Sequence, residues 1–183
     1  LQQRLSGVRL EEKIGVVTCV MEKTGKRSGS AHFSMPQLPE RLGDAPPVAE
    51  MAGLLGISPD DIGCAPYEPA LWSVGVPAYL VPVRDAEVLK RVRMQRRGWP
   101  DVFPAGHHSV LLFTKAKREP GIQFAARMFT TAIGSGEDPA TGSAAAALTG
   151  LLAEHEAEEG SFVFQMRQGY EMGRPSQISM RFT

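Results

Sequence analysis

The spacing of apolar residues changes period several times along the chain, and each change marks an element. Residues 14–21, IGVVTCVM, are crowded with β-branched side chains, and residues 30–35, SAHFSM, alternate apolar with polar. The Gly-rich turn KTGKRSG between them predicts a β-hairpin. After the loop PQLPERLGDAPP, Val48, Met51, Ala52 and Leu55 recur at helical spacing between Pro47 and Gly56, which predicts a helix with proline in its first turn. ISPDDIG then caps and turns the chain. Residues 73–83, SVGVPAYLVPV, form an extended segment whose Pro77 and Pro82 place it at a sheet edge or cleft. Residues 85–97, DAEVLKRVRMQRR, predict a helix with an acidic start and a basic end, the order the helix dipole favours.

Strand patterns resume at 110–114 and at 121–130, where Ile122, Phe124, Ala126 and Met128 share one face. After a helix beginning near Gly142, strands are expected at 161–166 and 177–182. The tally is six or seven strands and three helices without regular strand–helix alternation, an α+β chain with a mostly antiparallel sheet. The helix after Gly142 is unusual. From Ala144 to Ala153 the sequence AAAALTGLLA has no polar face until Glu154, which is the pattern of a helix buried on all sides. Its alanines and Gly150 permit close approach of strands, so a central helix wrapped by a curved sheet is expected.

Composition narrows the partners. The 183 residues carry 20 Lys+Arg and 20 Asp+Glu, so no net field attracts nucleic acid or anionic lipid, and small molecules or protein surfaces fit better. Lys90, Arg91, Arg93, Arg96 and Arg97 cluster, but no aromatic platform interleaves with them, and they read as a solvated helix face. Cys19 and Cys64 are far apart and lack metal-ligand spacing, and no apolar run is long enough to span a membrane, so a cytoplasmic protein is expected. The first residues, LQQRLSGVRLEE, lack a signal-peptide core and could be a helix end; the abrupt start suggests a piece of a longer chain.

The stretch GSGEDPATGSAAAAL concentrates the candidate chemistry. A buried helix start leaves N–H groups in need of partners. Asp138 with Pro139, or Thr141 with Gly142, could supply an ordinary cap; alternatively the N–H groups of Gly142, Ser143 and Ala144 could hold a carboxylate or phosphate, with Glu137 or Asp138 serving as acid or base beside them. Both readings stay open on physical grounds. The glycine spacing lacks the lysine of a phosphate-binding P-loop, and neither a G-x-G-x-x-G nor a G-x-S-x-G motif occurs.

EDPATGSAA resembles the signature of the phenazine-biosynthesis PhzF-like isomerases, within the diaminopimelate epimerase-like fold. SVGVPAYLVPV is similar to that family's S-x-G-x-P strand, ARMFTTAIGSGEDPATGSAAAAL to its core motif, and QGYEMGRPSQI to its closing segment, in the same order. The resemblance implies two similar halves, each a curved sheet around a central helix, with the active site in the cleft between them. It implies proton transfer within a small carboxylate-bearing substrate, no metal or organic cofactor, and a homodimer. Asp138 would be the catalytic aspartate. Gly142, Ser143 and Ala144 would bind the substrate carboxylate, and Gly75 would line the cleft. Thr141 stands where diaminopimelate epimerases carry a cysteine, which favours a carboxylate mechanism.

The family's S-E-T glutamate, the main proton shuttle, and its G-H-P histidine have no counterpart here, and His107 in AGHHS belongs to a different part of the pattern. Residues 1–36 are therefore expected to be a remnant of the N-terminal half and residues 37–183 the C-terminal domain. On that expectation the chain is catalytically incomplete without the other half, supplied in cis or as a separate piece. His32 and His155 fit surface or structural roles. The alternative is a non-catalytic anion-binding or protein-interaction module on the same fold.

Overall fold

Period-two alternation accounts for the first elements. Val8 and Leu10 alternate with Arg9 and Glu11 in β1 (Leu5–Glu12), so the helix end expected at the N-terminus is instead a strand. It pairs antiparallel with β2 (Gly15–Lys23), which pairs antiparallel with β3 (Gly29–Ser34), the expected hairpin. The computed structural model describes residues 5–13, 15–26, 29–104, 109–116, 119–155 and 161–182. The chain divides into two units, Leu1–Leu38, which holds this three-stranded sheet, and Pro39–Thr183.

The second unit is built on one sheet of eight strands: β4 (Glu40–Asp44), β5 (Ala70–Ser73), β6 (Pro77–Pro82), β7 (Ser109–Lys115), β8 (Phe124–Thr130), β9 (Glu137–Asp138), β10 (Phe162–Gln168) and β11 (Ser176–Phe182). Their order is β11-β10-β8-β7-β6-β5-β4, with the short β9 on the end of β8. Among the described residues only the β6–β7 and β8–β10 pairs are parallel. The helices are α1 (Val48–Leu55), α2 (Ala86–Arg91), α3 (Trp99–Val102) and α4 (Gly142–Ala153), with a 3-10 turn at Pro59–Asp61.

Three local expectations need correction. β4 lies inside the segment expected to be a loop. Residues 73–83 are not one edge segment but the end of β5, a turn, and β6, which sits between β5 and β7 in mid-sheet. Pro77 and Pro82 are the first and last residues of β6, so neither interrupts the ladder in its middle. The helix expected over 85–97 stops at Arg91. Beyond it the backbone N–H groups of Arg93 and Gln95 donate to Leu55 O and Leu54 O at the end of α1, at 2.9 and 2.8 Å. Those bonds require an extended chain, and they satisfy carbonyls that α1 leaves open.

Alternation along the central strands sorts their side chains to two cores. Ala78, Leu80, Leu111, Phe113, Phe124, Ala126 and Met128 face α4, together with Trp72, Met166 and Met180. Tyr79, Val81, Val110, Leu112, Ala125 and Phe129 face the opposite side, where Met51, Leu55, Val88, Leu89, Trp99 and Phe103 cover them. Phe124, Ala126 and Met128 thus share a face as expected; Ile122 precedes the strand. The buried central helix is α4, whose Ala144, Ala145, Ala147, Leu148, Leu151 and Leu152 are all buried. Gly150 is required by contact: a Cβ there would overlap the Trp72 ring and Pro39.

Four of the five residues of the basic cluster are tied down within the chain. Lys90 pairs with Glu87, Arg91 with Asp61, and Arg93 donates to the carbonyls of Lys90 and Val92. Arg96 donates to Ile133 O and Gly134 O, holding the loop that leads into β9. Among the described residues no helix is long and apolar enough to cross a membrane.

Candidate active site

Strand register brings the chemistry-bearing loops to one edge of the large sheet. The ends of β5, β8 and β10 and the starts of β6, β7 and β11 all lie there, because Ser73 pairs with Pro77, Ser109 with Thr130, and Gln168 with both Ala126 and Ser176. β9 joins the same edge through Met128–Asp138 and Phe129–Glu137 pairing, and α4 starts four residues after it.

Pairing with β8 divides the acidic pair. Cross-strand partners share a face of a sheet, so Glu137 goes with Phe129, on the α2 side, and Asp138 with Met128, on the α4 side. Glu137 is locked there. Arg127 Nε and Nη2 reach its two carboxylate oxygens at 2.7 and 2.8 Å, and Arg127 Nη1 donates to Leu89 O and Val92 O at the end of α2. Arg127 is buried and the Glu137 side chain is only 13% exposed, so the pair is a structural clamp between α2 and β9.

Asp138 is half-buried and differently employed. Thr141 Oγ1 donates to its Oδ2 at 2.6 Å. The fully buried Gln168 donates through Nε2 to Asp138 O at 2.7 Å and to Thr141 Oγ1 at 3.1 Å, and accepts from Thr141 N–H at 3.3 Å. Ser176 Oγ sits within hydrogen-bond distance of Pro139 O and Gln168 O, at 2.6 and 3.1 Å. Gly169 lets the two segments close: it has φ +79°, and a Cβ would collide with the carbonyls of Arg174 and Pro139.

Thr141 is the N-cap residue of α4, yet its side chain makes no capping bond. Asp138 does not cap either; its carboxylate takes the Thr141 hydroxyl and, at 3.4 Å, the Ala140 N–H. Thr141 O accepts from Ala145 N–H at 3.1 Å, which begins the helical ladder. The N–H groups of Gly142, Ser143 and Ala144 precede that first bond, in the place where helices bind anions. Gly142 and Ser143 are half-buried and Ala144 is buried. An ionisable carboxylate therefore stands within four residues of an uncapped, half-buried helix start.

Gly75 lies on the exposed β5–β6 turn, on the same sheet edge, with φ +110° and its N–H bonded to Ser73 Oγ at 2.9 Å. Among the described residues it makes no hydrogen bond to the Asp138–Ala144 segment. His155 packs edge-on against Tyr67, centroids 5.5 Å apart, and His32 is exposed in β3. His107 lies outside the described residues.

Gln168, Ser176 and Arg127 escaped the sequence reading. A glutamine closing a strand just before a glycine was the one available signal for Gln168. Arg127 could have been singled out as a charge in a strand whose neighbours on both sides are apolar.

A family model described as phenazine biosynthesis-like protein matches residues 2–183. An uncharacterized isomerase of Mesorhizobium japonicum is 35% identical over 180 residues, covering 95% of this chain and 59% of that protein. The chain thus spans about three-fifths of the length of that curated relative. A crystal structure of a PhzF-family phenazine biosynthesis protein of Bacillus anthracis superposes with a TM-score of 0.84 at 18% identity, covering 98% of this chain and 61% of that one. A predicted epimerase of Pseudomonas aeruginosa superposes at 0.69 with 23% identity, covering 97% and 58%. At these identities the two structures establish the shared α+β fold, a curled sheet around a central helix. With a family model matched along essentially its whole length, the chain belongs to the phenazine biosynthesis-like (PhzC–PhzF) protein family.

Proposed function

We propose that this chain forms the Asp138 wall of an active site that moves a proton within a small carboxylate-bearing substrate. The observation that carries the reading is the half-buried Asp138 carboxylate, fixed by Thr141 beside the uncapped start of α4. The N–H groups of Gly142, Ser143 and Ala144 bind the substrate carboxylate, aided by the positive end of the helix. That contact sets the carbon bearing the acidic hydrogen near Asp138, which exchanges the proton as general base and then acid. Gly75 lines the same sheet edge. As the family resemblance implies, the proposed proton transfer uses no metal or organic cofactor.

The second proton-transfer group is a glutamate of the kind carried by the family's S-E-T motif, contributed by a further segment in cis or as a separate piece. The working enzyme is a homodimer acting in the cytoplasm.

The test is exchange with solvent. The 183-residue chain, alone and together with a segment bearing the S-E-T and G-H-P motifs, is incubated in D2O with a panel of small acids carrying an acidic C–H, and deuterium uptake is followed by mass spectrometry. Uptake is expected only in the combined sample. Replacing Asp138 by Asn should lower it by about 10²- to 10⁴-fold, the usual contribution of a positioned acid–base group. Uptake unaffected by Asp138→Asn removes the proposed role. Carboxylate binding with no exchange by the combined sample would instead identify a binding module.

A further inference from the structure

Gln168 makes three hydrogen bonds to the Asp138–Thr141 turn, and the partners fix which way its carboxamide faces. Asp138 O can only accept, so the atom 2.7 Å from it is the amide nitrogen; Thr141 N–H can only donate, so the atom 3.3 Å from it is the amide oxygen. The second proton on Nε2 then goes to Thr141 Oγ1, 3.1 Å away. With one lone pair occupied by Gln168, the Thr141 hydroxyl directs its own proton to Asp138 Oδ2.

A threonine preceding a helix ordinarily turns its hydroxyl oxygen toward the N–H groups of the second or third helical residue, here Ser143 and Ala144. Thr141 does not, because Gln168 and Asp138 hold its hydroxyl. We propose that Gln168 is a positioning residue: its buried carboxamide keeps Thr141 against Asp138 and out of the N-cap role, which leaves the first turn of α4 open to the substrate carboxylate. This rests on the reading of that turn as the carboxylate cradle, and it adds that the cradle is kept open by a residue on β10 that acts through Thr141 and not on the substrate.

The experiment uses the 183-residue chain and acetate as probe, followed through the ¹H–¹⁵N shifts of Gly142, Ser143 and Ala144. Gln168→Met keeps the side-chain length and removes all three bonds, which frees the Thr141 hydroxyl to cap. Because an N-cap bond is typically worth about 1 kcal/mol, acetate affinity is expected to fall about fivefold. Thr141→Ala alone stays within about twofold of wild type, since an alanine can neither cap nor compete. The double variant Gln168→Met with Thr141→Ala returns to the affinity of Thr141→Ala. That recovery separates the proposal from a merely structural role, in which the double variant binds as poorly as Gln168→Met; such a result overturns it.

Should Gln168→Met fail to unfold cooperatively, Thr141→Ala decides: retained affinity supports the proposal, and a loss of more than about fivefold means the hydroxyl itself serves the ligand and overturns it. No acetate response in wild type overturns both the proposal and the cradle beneath it. Loss of turnover on Asp138→Asn is a separate measurement, so acetate binding without solvent exchange defeats the isomerase reading and leaves the role of Gln168 standing.

Discussion

Glu137 and Asp138 are adjacent and carry the same chemistry, but they face opposite sides because a strand alternates its faces. Removing Glu137 strands the buried Arg127 guanidinium among the Leu89 and Val92 carbonyls with its charge unpaired. Breaking a buried pair by deleting one partner costs about 3–5 kcal/mol, so Glu137→Ala should shift the urea unfolding midpoint markedly downward. Asp138→Asn keeps the half-buried side chain's shape and an oxygen for Thr141 to donate to, and is expected to stay within about 1 kcal/mol of wild type in the same measurement. A comparable loss from both substitutions would mean that the strand does not divide their roles. The sequence showed the two carboxylates but not the division, because β9 is only two residues long and its register comes from pairing with β8. No local period reveals such a register.

At the scale of elements, α4 was legible because burial on every side erases the polar stripe that other helices carry. Its contact with β5 was legible in kind, through Gly150, but not in its partners Trp72 and Pro39. Gly150→Ala sets two effects against each other. Helix propensity gains about 1 kcal/mol, whereas a methyl forced against the Trp72 ring and Pro39 costs about 1–3 kcal/mol. The Trp72 ring is buried and Pro39 is half-buried, so net destabilisation is expected in a thermal melt; a stabilised variant would show that β5 can retreat from the helix. The region after Arg91 departs from the helical pattern for a related reason: its basic residues extend that pattern, while the end of α1 needs the extended chain for its carbonyls.

Asp61, in the 3-10 turn, ties α2 to the segment that follows β6. It takes Arg84 and Arg91 at 2.8 Å each and accepts from Ser58 N–H. Burial alone would raise its pKa, but the Arg91 hydrogen bond, the Ser58 N–H and the two guanidinium charges outweigh it and hold the carboxyl below its ordinary value. A folded-state pKa below the unfolded one, about 3.9, contributes stability that is complete above that value and is lost as pH falls through the folded-state value. The stability gap between wild type and Asp61→Asn, read from urea midpoints, should therefore be wide at neutral pH and narrow steadily once the pH drops below about 4. A gap independent of pH would show that the carboxylate's charge contributes nothing.

For the whole molecule, the two units differ in what they can hold together by themselves. The Pro39–Thr183 unit contains both apolar clusters, one on each face of the large sheet, and all four helices. The Leu1–Leu38 unit has no buried side chain among its described residues; Leu10, Val16, Val20, Met21 and Phe33 are each at least 40% exposed. The sequence concealed this contrast, since β1 to β3 carry the same apolar alternation as any strand that packs on a core, and alternation records a preference for burial without naming what covers the face. A three-stranded sheet of that size needs a hydrophobic face packed on something to persist in water. Expressed separately, residues 39–183 should melt cooperatively with a folded near-ultraviolet dichroism spectrum. A peptide of residues 1–38 should show the far-ultraviolet spectrum of an unordered chain and no melting transition. A folded peptide would mean that backbone pairing and exposed apolar contacts suffice for β1 to β3. Failure of residues 39–183 to fold would mean that two buried clusters are not enough without the first 38 residues, and would move the boundary of the smallest stable unit toward the N-terminus.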